Sequence, residues 1–146
     1  MILGLRHVGI VVSDLEASVR FYRDLLGFQH VTKAYEFGRS ISAMLGVPDA
    51  KVSTVKMIAA NGGMIELLYF DWPSSDHIDR TIYDLGLSHI ALTVQNIEAE
   101  YQRLRNCGVR FVSPPVQSGA CRVCFGLDPD LNKIEFVQEM TYPRAA

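Results

Sequence analysis

Several features that would place a protein in a specialised class are missing from this sequence. It has no apolar run near the roughly 20 residues of a membrane-spanning helix, and no signal-peptide pattern follows Met1. Cysteine is scarce, and the three present (Cys107, Cys121 and Cys124) fit a reducing compartment better than a disulfide scaffold. We therefore expect a soluble, cytoplasmic protein that does not enter membranes.

The sequence also lacks an excess of either charge. It has 14 Lys and Arg against 16 Asp and Glu, interspersed along the chain, for a net charge of −2. With no basic patch and no charged tail, nucleic acid is not an expected partner. Apolar residues make up 49% of the 146 residues, which is enough for one compact domain or two packed half-domains.

The chain contains an internal repeat. LRHVGIVVSDLEASVRFYRDLLG (5–27) aligns with LSHIALTVQNIEAEYQRLRNCG (87–108) at an offset of 82 residues, which places His7 on His89. GMIELLYF (63–70) aligns with NKIEFVQE (132–139) at an offset of 69, which places Glu66 on Glu135. The first half therefore holds 13 more residues between its His and its Glu, and the loop-like segment 38–50 is the candidate insertion.

Each half shows the same predicted order of elements. An apolar, β-branched strand comes first, then a helix that Asp14 caps and Gly27 ends. Three strands follow, and Asn61-Gly62 predicts a two-residue hairpin turn between the last two. The predicted strands are 5–12, 28–37, 51–60 and 63–70 in the first half, then 87–94, 109–113, 120–126 and 132–138 in the second, whose helix is 97–107.

The predicted fold class is α+β, with two tandem βαβββ modules in one domain spanning residues 1–146. Module 1 is 1–70, the linker is 71–86 and module 2 is 87–140. One helix covers only one face of each sheet, so the modules should pack together about a pseudo-twofold axis. Five apolar residues of the linker are predicted to be buried: Trp72, Ile78, Ile82, Tyr83 and Leu85.

Two histidines and two glutamates occupy equivalent repeat positions. Taken singly, a strand His is more often a hydrogen-bonded residue, and a strand Glu more often faces solvent. Glu66, however, has apolar neighbours, and an unpaired carboxylate among them would cost several kcal/mol or be protonated. If the modules pack about a twofold axis, four side chains approach that axis as an N₂O₂ set for one divalent ion (Zn, Ni, Co, Mn or Fe(II)): His7, Glu66, His89 and Glu135.

Other candidate residues carry weaker signals. Gly9 and Ala91 lie two residues beyond each His, and their small size would leave room for a ligand. The spacing Cys121-x₂-Cys124 has no second cysteine pair, so no metal is expected there. His30 and His77 lack equivalent partners and are assigned surface or loop roles.

With these residues in place, the sequence resembles the vicinal-oxygen-chelate superfamily, which includes glyoxalase I, methylmalonyl-CoA epimerase, extradiol dioxygenases and the fosfomycin- and bleomycin-resistance proteins. The resemblance covers essentially the whole chain, through RHVGIVVSDLEASVRFYRDLLGF, MIELLYF, LSHIALTV and FGLDPDLNKIEFVQ. It implies a glyoxalase-like fold, in which the same four residues are the metal ligands and each site draws two from each module.

The resemblance also implies a reaction. A metal that keeps open positions acts as a Lewis acid on two adjacent substrate oxygens, so that Glu135 or Glu66 can remove the proton between them. We expect a metal-dependent lyase or isomerase acting on a small molecule. Bacterial glyoxalase I has an Arg and an Asn for glutathione where this chain has Val11 and Phe70, so the resemblance does not extend to the residues that bind glutathione.

Three alternatives stay open. An epimerase of the methylmalonyl-CoA kind would add a Glu on the third strand, where residues 51–60 offer only Ser53, Thr54 and Lys56 as polar side chains. An extradiol dioxygenase would hold Fe(II) with two His and one carboxylate. A non-catalytic antibiotic-binding protein would normally lack the metal ligands.

Small sheet-rich chains of this type commonly hide exposed edges by dimerising, so a homodimer is expected as well.

Overall fold

A computed structural model describes residues 1–74 and 80–140 of the chain. The chain divides into two compact units, Met1–His77 and Ile78–Ala146. The boundary falls inside the predicted linker. Within the described ranges, none of the helices is long and apolar enough to cross a membrane.

The first unit is a four-stranded mixed sheet with helices. Its strands run in the order β1-β4-β3-β2, with β1 parallel to β4 and the other neighbours antiparallel. The elements are β1 (Val8–Val11), α1 (Leu15–Arg20) continued by a π-helical turn (Phe21–Leu25), β2 (Gln29–Phe37), α2 (Arg39–Leu45), β3 (Lys51–Ile58) and β4 (Met64–Trp72).

The second unit repeats this plan. Its strands run in the order β5-β8-β7-β6, and β5 is again parallel to the last strand, β8. The elements are β5 (His89–Thr93), α3 (Ile97–Asn106), β6 (Val116–Ser118), β7 (Cys121–Leu127) and β8 (Lys133–Glu139). The predicted α+β class with two βαβββ modules is confirmed.

The two repeat helices begin and end in the same way. The side chain of Asp14 accepts a hydrogen bond from the Ala17 amide at 2.9 Å, and Asn96 accepts one from Ala99 at 3.0 Å. These bonds satisfy amides that have no partner within the helix. After each helix the chain turns through a glycine with positive φ, Gly27 (φ 77°) and Gly108 (φ 88°). The predicted cap Asp14 and the predicted ends of the helices at Gly27 and Gly108 are therefore confirmed, and Asn96 is the equivalent cap of the second helix.

Each unit buries apolar residues on the helix-facing side of its sheet. In β4, Ile65 and Leu67 are buried and alternate with half-buried residues, as expected for a strand with one face on a core. Fully buried core residues of the first unit include Tyr22, Met57 and Leu67, and those of the second include Ile97, Leu104 and Ile134.

The segment 38–50 is more ordered than a loop. It forms the seven-residue helix α2, which ends at Gly46 in the left-handed conformation. Ile41 of this helix is buried with Ala50 and Val52, and Phe70 packs against the same cluster. The insertion therefore packs against strands β3 and β4 through Ile41, an apolar residue in a segment otherwise rich in loop-forming residues.

The β3–β4 hairpin exists, but its turn has three residues. The Ala59 amide donates to the Gly63 carbonyl at 2.8 Å, so Ala60, Asn61 and Gly62 lie outside the ladder. Gly62 has φ 90°, as three-residue loops of this kind require at their last position. The two-residue turn predicted from Asn61-Gly62 is wrong by one residue.

The strand predicted at 109–113 is also wrong. Phe111 makes an isolated bridge to Gly126, and the hydrogen bonds Val112 N to Phe125 O (2.8 Å) and Leu127 N to Arg110 O (2.9 Å) flank it. Pro114 and Pro115 follow directly and have no amide hydrogen to extend the ladder. The pairing strand forms further along instead, as β6.

The predicted burial of the linker is wrong where the structure describes it. Trp72 is 56% exposed, Ile82 45%, Tyr83 82% and Leu85 97%. Ile78 and His77 lie outside the described residues. Apolar composition in a short connecting segment does not by itself provide a core to pack against.

The turn before β8 depends on one buried carboxylate. Asp128 is 3% exposed. Its Oδ1 accepts hydrogen bonds from the amides of Asp130 (2.9 Å) and Asn132 (2.8 Å), and its Oδ2 accepts one from Asn132 Nδ2 (2.9 Å). These bonds hold the chain where it enters the strand that carries Glu135.

Asp128→Ala should destabilise the protein by roughly 2–4 kcal/mol, because it leaves buried donors without an acceptor. Asp128→Asn keeps an oxygen for the two amides and should lose clearly less. Urea denaturation of the three proteins measures the difference, with unchanged m-values as the sign of a pure stability effect. Equal stability of Asp128→Ala and the wild-type protein would contradict this account of the turn.

Candidate metal centre

The first unit brings His7 and Glu66 together. His7 directly precedes β1, and Gly9 of β1 is the register partner of Glu66 in β4. Side chains two residues apart share a sheet face, so the imidazole and the carboxylate meet across the parallel pair. His7 Nε2 lies 2.9 Å from Glu66 Oε2, and the two side chains are 25% and 14% exposed.

The second unit builds the same pair from its own strands. Ala91 of β5 is the register partner of Glu135 in β8. His89 Nε2 lies 3.2 Å from Glu135 Oε2, with the side chains 31% and 22% exposed. Both pairs follow from one arrangement, in which the first strand of a unit lies parallel to its last strand.

The surroundings of the two pairs differ. Lys56 of β3 is the register partner of Glu66, and its Nζ lies 2.8 Å from Glu66 Oε1. In the second unit, Phe125 of β7 is the register partner of Glu135. The rings of Phe125 and His89 meet edge to face, with 5.2 Å between their centres.

The second ring nitrogens of the two histidines also differ. His89 Nδ1 lies 2.8 Å from Ser88 Oγ, which holds the ring with Nε2 toward Glu135. His7 Nδ1 is buried and has no hydrogen-bond partner within the described part of the chain. Sequence reasoning assigned no role to Ser88 or Phe125, although the position of Ser88 next to a candidate ligand was a usable signal.

Glu66 has apolar neighbours on its strand, as the sequence indicates, and Met64, Leu68 and Phe70 are half-buried. The carboxylate itself is not unpaired, because it has two nitrogen partners. A Cβ added to Gly9 would approach Leu68 Cδ1 to 3.2 Å. Part of the space that the glycine leaves is therefore filled by leucine.

The other sequence candidates stay apart from these pairs. Over residues 1–74 and 80–140, no three His, Cys, Asp or Glu side chains form a group that could hold a metal ion. His30 lies in β2 and lines a cleft beside α1. Cys121 and Cys124 are three residues apart on β7 and so point to opposite faces. Burial raises the pKa of Cys124 to about 11, which disfavours the thiolate that binds metals.

The pairs contain the atoms that divalent metals use in proteins. An imidazole nitrogen and a carboxylate oxygen point at each other in both units, and their side chains are partly accessible. Two such pairs together would supply two nitrogen and two oxygen ligands, a set that suits Zn²⁺ and neighbouring first-row ions.

Comparison with known proteins adds the family. Residues 4–136 match the family model described as the Glyoxalase/Bleomycin resistance protein/Dioxygenase superfamily. A lactoylglutathione lyase of Neisseria meningitidis serogroup A is 32% identical over 142 residues, covering 94% of this chain and 91% of that protein. A probable lactoylglutathione lyase of Synechocystis is 32% identical, covering 92% and 94%.

Solved structures agree in fold. A glyoxalase family protein from Bacillus cereus superposes with a TM-score of 0.88 at 25% identity, covering 97% of both chains. The fosfomycin resistance protein FosX of Listeria monocytogenes, solved with Mn(II) and sulfate, has a TM-score of 0.66 at 18% identity, covering 96% and 95%. It shares the fold.

These relationships confirm two expectations from the sequence. The resemblance to the glyoxalase superfamily is correct over nearly the whole chain, and the relatives named as enzymes support the prediction of a glyoxalase-like lyase. From the family match at residues 4–136 and the repeated His–Glu pair, the chain belongs to the Glyoxalase/Bleomycin resistance protein/Dioxygenase superfamily.

Proposed function

We propose that this chain is a divalent-metal-dependent lyase or isomerase that moves a proton next to a carbonyl group of a small molecule. The observation that carries the proposal is the repeated pair, His7 with Glu66 and His89 with Glu135, formed at the same place in both units. A structural role for one such pair would not require its repetition on the second sheet.

The residues present fit a metal. Both imidazoles direct Nε2 at a carboxylate oxygen of their own unit, so each unit offers one nitrogen and one oxygen side by side. Ser88 meets the other nitrogen of His89, as groups beside metal-binding histidines commonly do. We assign His7, Glu66, His89 and Glu135 as ligands of one divalent ion, Zn, Ni, Co, Mn or Fe(II), with the two pairs coming from one chain or from two.

When bound, the ion supplies Lewis acidity that makes a proton beside a carbonyl easier to remove. The protein residues supply the rest. Glu135 and Glu66 are the candidate bases, because a carboxylate oxygen beside the bound substrate accepts the proton and returns it to the neighbouring carbon. In the structure, Nε2 of His7 and of His89 lies against the carboxylate of its unit, so the nitrogen and the oxygen that would hold the ion are already adjacent.

The names of the relatives and two residues of β1 and β4 support a proposal for the substrate class. Lactoylglutathione lyase is the name of several relatives, which favours an adduct of an α-ketoaldehyde with a thiol. Val11 is 57% exposed and Phe70 packs against the α2 cluster, so apolar groups stand where bacterial glyoxalase I carries its Arg and Asn. We propose a thiol carrier less polar than glutathione at this end.

Assembly and location complete the proposal. We infer a homodimer, because β2 lies at an edge of its sheet and exposes Val31, Tyr35 and Phe37, and exposed apolar edges commonly pair or become covered. Three free cysteines, Cys107, Cys121 and Cys124, support a reducing, cytoplasmic location.

Purified protein should bind one divalent ion per two units, and the ion should raise the thermal midpoint. At an ion concentration 100-fold above Kd the stabilisation is about 2.7 kcal/mol, or roughly 5–10 °C for a chain of this length. Elemental analysis and thermal scans measure both effects. A His7→Ala/His89→Ala double variant is the control and should show neither effect. A wild-type protein that binds no ion and gains no thermal stability would contradict the proposed metal site.

Glu135→Gln and Glu66→Gln should separate the two roles of the carboxylates. The variant that removes the base should lose about 10²- to 10⁴-fold in kcat and retain the metal. Matched controls on the same strands are Glu139→Gln and Asp71→Asn, which should keep full activity. Turnover is measured on α-ketoaldehyde–thiol adducts, acyl-CoA epimers and catechols. Full activity in both glutamate variants excludes carboxylate catalysis.

Mixing His7→Ala with His89→Ala protein tests how the pairs combine. If sites form between two chains, subunit exchange restores an intact site in part of the population and recovers metal binding. If both pairs of a site come from one chain, the mixture binds no more metal than its components. Sedimentation at micromolar concentration measures the dimer itself, and a strictly monomeric protein contradicts it.

A further inference from the structure

Lys56 touches one of the proposed ligands but has no part in the function described so far. It lies opposite Glu66 in the β3–β4 ladder, and its side chain is 30% exposed. The two oxygens of Glu66 are divided between two partners. Oε2 lies 2.9 Å from His7 Nε2, and Oε1 lies 2.8 Å from Lys56 Nζ.

The repeat shows that the lysine is not needed to build a His–Glu pair. At the equivalent ladder position of the second unit stands Phe125, and His89 and Glu135 still meet at 3.2 Å. A cation is thus present beside one pair and absent from its structural equivalent. A role in general pair formation would apply to both.

The lysine changes the charge available to a bound substrate. With neutral histidines, the two glutamates cancel the charge of a divalent ion. An apolar residue at position 56 would leave that balance at zero, whereas Lys56 makes it +1. Lys56 contacts one oxygen of Glu66 and His7 the other, so the ammonium charge lies one carboxylate group away from the atoms that would hold the ion. All three side chains are at most 30% exposed, so solvent screens this charge less than a fully exposed one.

We propose that Lys56 is a specificity-determining residue, which fixes Glu66 as a one-oxygen ligand and selects chelating substrates that carry negative charge on the oxygens facing the metal. This inference rests on the proposed function. It identifies the preferred substrate class as α-oxo or α-hydroxy compounds with an ionised oxygen next to the carbonyl, or with one that ionises during proton transfer.

Binding of two probes to Co²⁺-loaded protein tests the proposal. Oxalate is a dianion with adjacent oxygens, and imidazole is a neutral ligand that enters an open position without needing a cation nearby. Both are titrated by the visible absorption of Co²⁺ in wild-type protein, Lys56→Met, Lys56→Gln and Lys56→Arg. Lys33→Met is the matched control. Lys33 pairs with Val55, the neighbour of Lys56 in β3, so this substitution removes the same charge from the opposite face of the sheet.

In Lys56→Met and Lys56→Gln, oxalate should bind at least about tenfold more weakly, a ratio equal to about 1.4 kcal/mol. Imidazole affinity should stay within about twofold, and Co²⁺ affinity should not fall, because the substitution removes a cation beside a cation. Lys56→Arg should restore most of the oxalate affinity, and Lys33→Met should match wild type.

Equal oxalate affinity in wild-type, Lys56→Met and Lys56→Gln proteins overturns the role of Lys56 and leaves the metal site standing. A loss of Co²⁺ affinity without a change for oxalate also overturns it, because Lys56 would then only orient Glu66. A wild-type protein that takes up no Co²⁺ contradicts the proposed function itself, and the role of Lys56 with it.

Discussion

The parallel pairing of the first and last strands of each unit is the constraint on which the candidate site depends. In each βαβββ unit the helix carries the chain from the first strand to the opposite edge of the sheet, so that the last strand can pair with the first. The pairing of Gly9 with Glu66, and of Ala91 with Glu135, then sets which side chains meet. The topology brings equivalent positions together in both units, and the repeat places a His and a Glu at those positions in each.

Much of this could be predicted from the sequence, because the repeat doubles every signal. A single His in a strand carries little information, but His7 and His89 at one offset, followed by Glu66 and Glu135 at another, are hard to explain separately. The helix caps Asp14 and Asn96 are local features, determined by side chains within three residues of the bond they make. Because the interacting residues are close together in the sequence, signals of this kind can be read from the sequence alone.

The lysine was missed for a physical reason. A two-residue turn at Asn61-Gly62 would pair Glu66 with Met57, whereas the three-residue turn pairs it with Lys56. One residue of register moves every side chain of a strand to the other face. The length of the turn therefore decided whether the carboxylate would face an apolar residue or a cation, and the residues of the turn alone did not reveal that length.

Longer-range features were harder to predict still. Tyr83 and Leu85 have the composition of core residues, but whether a partner surface covers them is a tertiary property. The 109–113 segment has strand-like residues and yet pairs at only one bridge, since two prolines follow it. The substrate is the hardest feature to predict from the sequence, because it depends on residues of different strands, such as Val11, Lys56 and Phe70.

X-ray absorption spectroscopy at the metal edge of reconstituted protein tests the central claim, that the two His–Glu pairs are metal ligands, most directly. We expect a shell of nitrogen and oxygen only, at about 2.0–2.2 Å for Zn²⁺. We also expect outer-shell scattering from two imidazole rings, of which His7→Ala and His89→Ala each remove one. A shell containing sulfur at about 2.3 Å would place the ion on cysteine instead. That result, or imidazole scattering unchanged in both histidine variants, would contradict the account.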